Sequence, residues 1–195
     1  MGWFTTDWNS DKVLEEAIAK NDQKKLCKIA KKSEYSENRE EAVKNIDDIF
    51  LLSEISDAYY KEHDNYYIDV IHTVNECAIE IVRQITDKET LEKLQKQCSN
   101  DFNVMFMAQI MDLESKLCNH ILGLLGGQHE LIPFLSKKED LKKVIRKFDG
   151  EAGDFAAYIL VQRTDDVKDL EQLKIEFKDK YAVTSNIEDK INSKF

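Results

Sequence analysis

The sequence predicts an all-α protein, folded as a short right-handed α-solenoid of about five helix pairs. Three observations lead to this prediction. An eight-residue phrase recurs along the chain: an Asp, three variable residues, a Leu, two more residues and an apolar residue. The 195 residues include only one proline and six glycines, too few for the many turns of a β fold. Apolar residues also recur at helical rather than alternating spacing.

The recurring phrase occurs five times, at intervals of a few tens of residues. Recurrence of this kind indicates stacked units, none of which can bury its apolar face alone. Four copies begin with aspartate, and the copy at residues 137–144 begins with lysine. The copies cover residues 22–29, 48–55, 87–94, 137–144 and 166–173.

Helix starts are marked by residues that can cap the free N–H groups of a first turn. Segments beginning at Thr86, Ser136 and Ser185 fit a capping box, with Glu three residues after the hydroxyl. Single caps are expected at Asp22, Ser36, Asp48, Asp64 and Asn100. The predicted helices cover residues 11–20, 22–33, 36–46, 49–62, 65–86, 87–98, 101–123, 130–135, 137–148, 151–163, 166–180 and 185–193. Paired in order, they form five units in a single domain of residues 1–195.

Residues 22–55 carry a more specific pattern. A Leu-x-x-Ile sequence lies on one predicted helix, and an arginine followed by small apolar residues lies on the next. The residues are Leu26, Ile29 and Ala30, then Arg39, Ala42, Val43 and Ile46. This pattern resembles a HEAT-type repeat, and the resemblance extends more loosely from about residue 11 to residue 191. It implies a non-catalytic scaffold that binds another protein on the curved face of the solenoid.

The resemblance also implies where the partner binds, since the second helices of such pairs usually line the inner face. Burial of a few aromatic or methionine anchors within a polar rim would supply affinity. A net charge of −10, from 38 Asp and Glu against 28 Lys and Arg, would favour a basic partner. The expected partner-binding residues, on the second helix of the second unit, are Tyr66, Tyr67, Asp69, His72 and Glu76.

An alternative is anion or nucleic-acid binding by an aligned row of cations. Superposing the repeated phrases brings three lysines to one position and three cations to another, three residues further. Stacking would align them along the solenoid and let them follow phosphates. Net charge opposes this, because a strongly acidic chain repels polyanions at long range. The residues concerned are Lys28, Lys93 and Lys143, and Lys31, Lys96 and Arg146.

No catalytic, metal or cofactor site is predicted, and no small-molecule substrate is evident. The four cysteines fall in apolar helical stretches without the paired spacing of a zinc site. Cys118 and His120, two residues apart on a helix, point to different sides. Cys27 lies among lysines that could activate it, but a buried structural thiol is favoured. Lacking a membrane span or a secretory signal, the chain is expected to be cytoplasmic.

Two apolar clusters remain. Trp3, Phe4 and Trp8 precede the first helix and are expected to fold back on it as a cap, with a partner hook as the alternative. The methionine-rich segment around Phe106 is apolar on all sides, which predicts a central, fully buried helix.

Overall fold

The computed structural model describes residues 6–62, 68–98, 102–124 and 126–193. These residues form helices and no strand, so the all-α prediction is confirmed for them. None of these helices is both long and apolar enough to cross a bilayer. The helices are α1 Asp11–Ala19, α2 Gln23–Lys32, α3 Ser36–Lys44, α4 Ile49–Glu62, α5 Ile68–Gln84, α6 Lys88–Gln95, α7 Asn103–Leu113, α8 Leu117–Gly123, a 3₁₀ helix His129–Phe134, α9 Lys138–Lys147, α10 Glu151–Gln162, α11 Val167–Glu176 and α12 Tyr181–Asn192.

The chain divides into two compact units, residues 1–107 and residues 108–195. The expectation that the whole chain is one domain stays a prediction.

The recurring phrase of the sequence marks helix starts. Asp22, Asp87 and Asp166 are the N-cap residues of α2, α6 and α11, and their carboxylates accept bonds from first-turn N–H groups. Asp48 likewise accepts from Phe50 N–H at the start of α4, at 2.9 Å. The phrase therefore joins a capping carboxylate to a buried leucine one turn later. The leucines of the five copies are Leu26, Leu52, Leu91, Leu141 and Leu170, all at most 1% exposed.

In residues 1–107, the contacts join helices that are consecutive in sequence or separated by one helix. α2 packs against α3 and α4, and α5 packs against α3 and α4. Arg39, only 1% exposed, donates to the carbonyl of Ser33 at 2.9 Å and so ties α3 to the end of α2. The hydroxyl of Tyr59 donates to the carbonyl of Ala30. Polar side chains thus satisfy carbonyls that the end of α2 leaves free.

Trp8 precedes α1 and is half-buried, with the ammonium of Lys32 5.9 Å from its ring centre. Its neighbour Asn9 accepts from the N–H of Glu34 at 2.7 Å, so this segment lies against the end of α2. Trp3 and Phe4 lie outside the described residues.

In residues 108–195, α10 is the central helix. It contacts α9, α12 and the 3₁₀ helix, while α12 also contacts α11. Cations from later helices bind the carbonyls at the ends of earlier ones: Lys147 donates to Leu122, and Arg163 donates to Pro133 and Leu135. Cations are favoured at these negative helix ends.

Lys190 makes the largest such contact. Its Nζ atom donates to the carbonyls of Val161, Gln162 and Thr164 at 2.8–3.0 Å and to the carboxylate of Asp165 at 3.2 Å. The side chain is 9% exposed. This one ammonium therefore fastens α12 to the end of α10.

Several predicted helix boundaries are wrong. The helix expected over residues 101–123 is broken at Ser115, whose φ of 55° is left-handed. Lys116 N–H then donates to Met111 O, and Ser115 N–H donates to Asp112 O, the pattern that ends a helix when glycine occupies this position. Serine is rare in this conformation, so the sequence carries no stop signal.

The three predicted capping boxes are also wrong. Asp87 and Lys137, one residue after the predicted Thr86 and Ser136, are the N-caps of α6 and α9. Ser185 lies inside α12, which begins at Tyr181. The segment around Pro133 forms a 3₁₀ helix because proline lacks the N–H of a regular α-helix.

The prediction of a fully buried helix around Phe106 is correct for Phe106 and wrong for its neighbours. Phe106 is buried, but Val104 is 49% exposed and Met107 is 52% exposed. An all-apolar sequence conceals which side of a helix faces solvent, because it carries no polar residues to mark that side.

Candidate functional site

The predicted partner-binding surface is only partly described. His72 and Glu76 lie one turn apart on α5, with Nδ1 and Oε1 3.5 Å from each other, and both side chains are well exposed. Tyr66 and Tyr67 lie outside the described residues, as does the side chain of Asp69. The two expected aromatic anchors therefore remain predictions.

His72 and Glu76 line an open pocket of about 370 Å³ between α3 and α5, together with Glu40, Lys44 and Thr73. We call this surface the α3–α5 face. Its described lining has carboxylates on both helices and one lysine, with no apolar or aromatic side chain. Such a surface can select a charge but offers little apolar area to bury.

The predicted row of cations is largely neutralised by carboxylates. Lys93 pairs with Glu89 at 2.8 Å, and Lys143 pairs with Asp140 at 2.7 Å. Lys28 and Lys96 are exposed and show no such partner among the described residues. The other two cations also bind carboxylates, Lys31 that of Glu54 and Arg146 that of Glu176.

The cysteines have the character of buried thiols. Burial raises the pKa of Cys98 and Cys118 to about 11. The pKa of Cys27 is raised as well, because burial outweighs the lowering effect of Lys31. Burial likewise raises the pKa of Cys77. A protonated thiol is a poor nucleophile, so these environments do not activate cysteine. The described residues also contain no group of three or more His, Cys, Asp and Glu able to hold a metal ion.

A second surface, which sequence reasoning missed, lies on α10. The helix buries most of its residues but turns one side to solvent, where Phe155 and Tyr158 stack one turn apart. Their ring centres are 6.4 Å apart and their planes differ by 6°. Tyr158 is 47% exposed. His129, from the 3₁₀ helix, meets the edge of Phe155 with ring centres 6.2 Å apart.

Carboxylates border these rings. Glu151 lies on the same side of α10, with Oε1 3.9 Å from His129 Nδ1, and Glu130 approaches the other ring nitrogen to 3.6 Å. Asp154 is exposed and makes no ion pair among the described residues. We call this set the α10 surface: His129, Glu151, Asp154, Phe155 and Tyr158.

One glycine fixes the position of α10. A Cβ atom at Gly153 would lie 2.2 Å from the carbonyl oxygen of Phe148, far inside contact distance. Only glycine therefore allows α10 to pack this closely against the chain that leads into it. Gly153 also lines a cleft of about 250 Å³, whose lining includes apolar residues such as Phe148 and Val183 and charged residues such as Asp179 and Lys180. Asp154 lines both this cleft and the α10 surface.

The missed surface does have a sequence signal. Residues 151, 154, 155 and 158 follow the spacing of one helix side, and they read Glu, Asp, Phe, Tyr. Two aromatic residues one turn apart are more often core than surface, and the adjacent acids are what contradict that reading.

No protein-family model, curated protein sequence or solved structure matches the chain.

Proposed function

We propose that this protein is a non-catalytic interaction module that binds a basic segment of a partner protein, with the α10 surface as its main contact. One observation carries the proposal: the exposed ring of Tyr158 stacks on the half-buried ring of Phe155, and carboxylates border the two rings. Exposed aromatic residues are enriched at binding surfaces, where they bury a large area at little cost in side-chain entropy.

The mechanism follows from this arrangement. Tyr158 would become buried when the partner covers it, which contributes most of the affinity. Glu130, Glu151 and Asp154 would attract a basic segment and disfavour an acidic one. This is the combination of aromatic anchor and acidic rim that the sequence predicts, although at another helix.

The fold supports a HEAT-like solenoid as part of the proposal. α2 contacts α4, α3 contacts α5 and α10 contacts α12, as expected when successive helix pairs stack. α3, α5, α10 and α12 would then be the inner helices of their pairs. The four free cysteines fit a reducing, cytoplasmic setting, which we propose as well.

An unbiased peptide selection tests this function. The full chain is presented to a random peptide display library, and the enriched peptides are resynthesised and titrated by fluorescence anisotropy. We expect enrichment of basic peptides, with affinity at least about tenfold weaker for Tyr158→Ala. Tyr35→Ala is the matched control, since Tyr35 is 56% exposed and belongs to the other unit. Failure to enrich any peptide, or equal loss in both variants, would contradict the proposal.

Anion or nucleic-acid binding remains the alternative. Of the six cations it requires, four are paired with carboxylates, which leaves Lys28 and Lys96. We therefore expect no binding of duplex DNA or single-stranded RNA at low salt. Salt-sensitive binding that is weakened by Lys28→Glu and Lys96→Glu would favour this alternative instead.

A further inference from the structure

The chain already holds one arginine between a carboxylate and an aromatic ring. In residues 108–195, the guanidinium of Arg146 pairs with the carboxylate of Glu176. Its central carbon also lies 5.4 Å from the ring centre of Phe177. Glu176 and Phe177 are adjacent in sequence, so an acidic residue followed by phenylalanine forms this arginine site.

A similar pair of residues, an acidic residue followed by phenylalanine, occurs on the α10 surface without an arginine. Asp154 and Phe155 are adjacent, and Asp154 pairs with no Lys or Arg side chain among the described residues. Tyr158 adds a second ring, four residues after Asp154 and so on the same side of α10. The nearby Lys180 is engaged by Asp149. The α10 surface therefore has the carboxylate and the rings of such a site, and no Lys or Arg of the described residues pairs with the carboxylate.

We propose that the α10 surface binds an arginine side chain of the partner, with the guanidinium over Tyr158 and paired with Asp154. This inference rests on the proposed function and names the chemical group that the α10 surface recognises. Glu151 and Glu130 add negative charge around the same position.

Arginine fits this surface better than lysine does. A guanidinium is planar and weakly hydrated, so it can stack on a ring and donate two bonds to one carboxylate. A lysine ammonium is compact, strongly hydrated and unable to form the paired bonds. The cleft beside Asp154 is lined in part by apolar residues, among them Phe148 and Val183, which can contact the aliphatic part of a long side chain.

Helix electrostatics alone do not account for the α10 surface. Glu151 and Asp154 lie in the first turn of α10, where carboxylates interact favourably with the helix dipole. That interaction explains acidic residues at these two positions. It does not explain why Phe155 and Tyr158 stack beside them in contact with solvent.

The test compares three short blocked peptides that differ at one residue: arginine, lysine or citrulline, the uncharged analogue that keeps the shape of arginine. Each is titrated into the ¹⁵N-labelled full chain and followed by amide chemical shifts. We expect saturable shifts around Gly153, Asp154 and Tyr158 with the arginine peptide, with a Kd on the order of 1 mM. Binding should be at least about threefold weaker with lysine and undetectable with citrulline.

Variants locate the contact. Asp154→Asn and Tyr158→Ala should each weaken arginine-peptide binding about fivefold or more, whereas Tyr158→Phe keeps the ring and should change it less than about twofold. Asp189→Asn, an equal charge change at an exposed position of α12, is the control.

Equal binding of the arginine and citrulline peptides would overturn the arginine inference, as would unchanged binding by Asp154→Asn. The proposed function would survive either result if peptides from the library still lost affinity with Tyr158→Ala. If Tyr158→Ala affects no peptide, both proposals fail.

Discussion

The α3–α5 face and the α10 surface belong to different units of the chain and differ in chemistry. On the first, His72 and Glu76 border an open polar pocket. On the second, stacked Phe155 and Tyr158 stand among carboxylates. The excess of acidic residues is larger in the unit that contains the α3–α5 face. Residues 1–107 have 22 Asp and Glu against 14 Lys and Arg, and residues 108–195 have 16 against 14.

The net charge of a unit therefore does not indicate where we expect a binding surface. The more acidic unit spreads its carboxylates over solvated helix sides, where each contributes little to binding. The nearly neutral unit places fewer carboxylates beside rings that a partner can cover. Local combination of charge and aromatic area therefore decides where we expect binding.

The sharpest way to break the comparison is charge reversal on both surfaces. Asp154→Lys places a cation beside Tyr158 and should weaken arginine-peptide binding by about thirtyfold or more, since like charges at a contact cost several kcal/mol. Glu76→Lys makes the same change on the α3–α5 face and should alter binding less than about twofold. Amide chemical shifts of the ¹⁵N-labelled chain, followed as the arginine peptide is added, compare both variants. The opposite ranking would return the binding site to α5, as the sequence predicts.

Gly153→Ala should remove the α10 surface by displacing its helix. The added Cβ would clash with the backbone carbonyl of Phe148, and we expect a loss of about 3 kcal/mol in the free energy of unfolding. Gly123→Ala is the control, because a Cβ there meets nothing within 4 Å. Urea denaturation checks both variants. Equal stability of the two would show that α10 does not depend on this close approach.

The sequence was sufficient to place most helix starts but not to identify the exposed surfaces of the helices. The phrase that begins at Asp22, Asp48, Asp87 and Asp166 predicts helix starts, because a capping carboxylate and a buried leucine are local features. The break at Ser115 could not be predicted, since that residue adopts a conformation that serine rarely takes.

The α10 surface required tertiary information. In sequence, Phe155 and Tyr158 read as core residues of an apolar helix, and burial depends on which helices pack around it. The contribution of His129 comes from the 3₁₀ helix, more than twenty residues earlier. Two of the predicted cations are paired for a related reason: Glu54 reaches Lys31, and Glu176 reaches Arg146, from another helix.

Lys190→Met should test what holds α10 and α12 together. Removing the ammonium takes a donor from three carbonyls, of which Val161 O keeps the N–H of Thr164, and we expect a loss of about 2 kcal/mol in the free energy of unfolding. Lys174→Met is the matched control, because Lys174 makes only an exposed pair with Glu188 of α12, worth less than about 0.5 kcal/mol. Thermal and urea denaturation should separate the two variants. A similar loss in both would mean that burial of Lys190 adds nothing to its contacts.

The smallest effect we expect concerns the one repeated phrase that lacks its aspartate. Lys137 occupies the N-cap position of α9 but makes no capping bond, whereas Asp22, Asp87 and Asp166 do. Lys137→Asp should supply that bond and raise the free energy of unfolding by about 1 kcal/mol, and Asp166→Ala should lower it by a similar amount. Urea denaturation of both variants and the double variant measures this. If Lys137→Asp destabilises the protein, the bond from Lys137 to Ser115 Oγ, 3.1 Å long, outweighs a cap at this position.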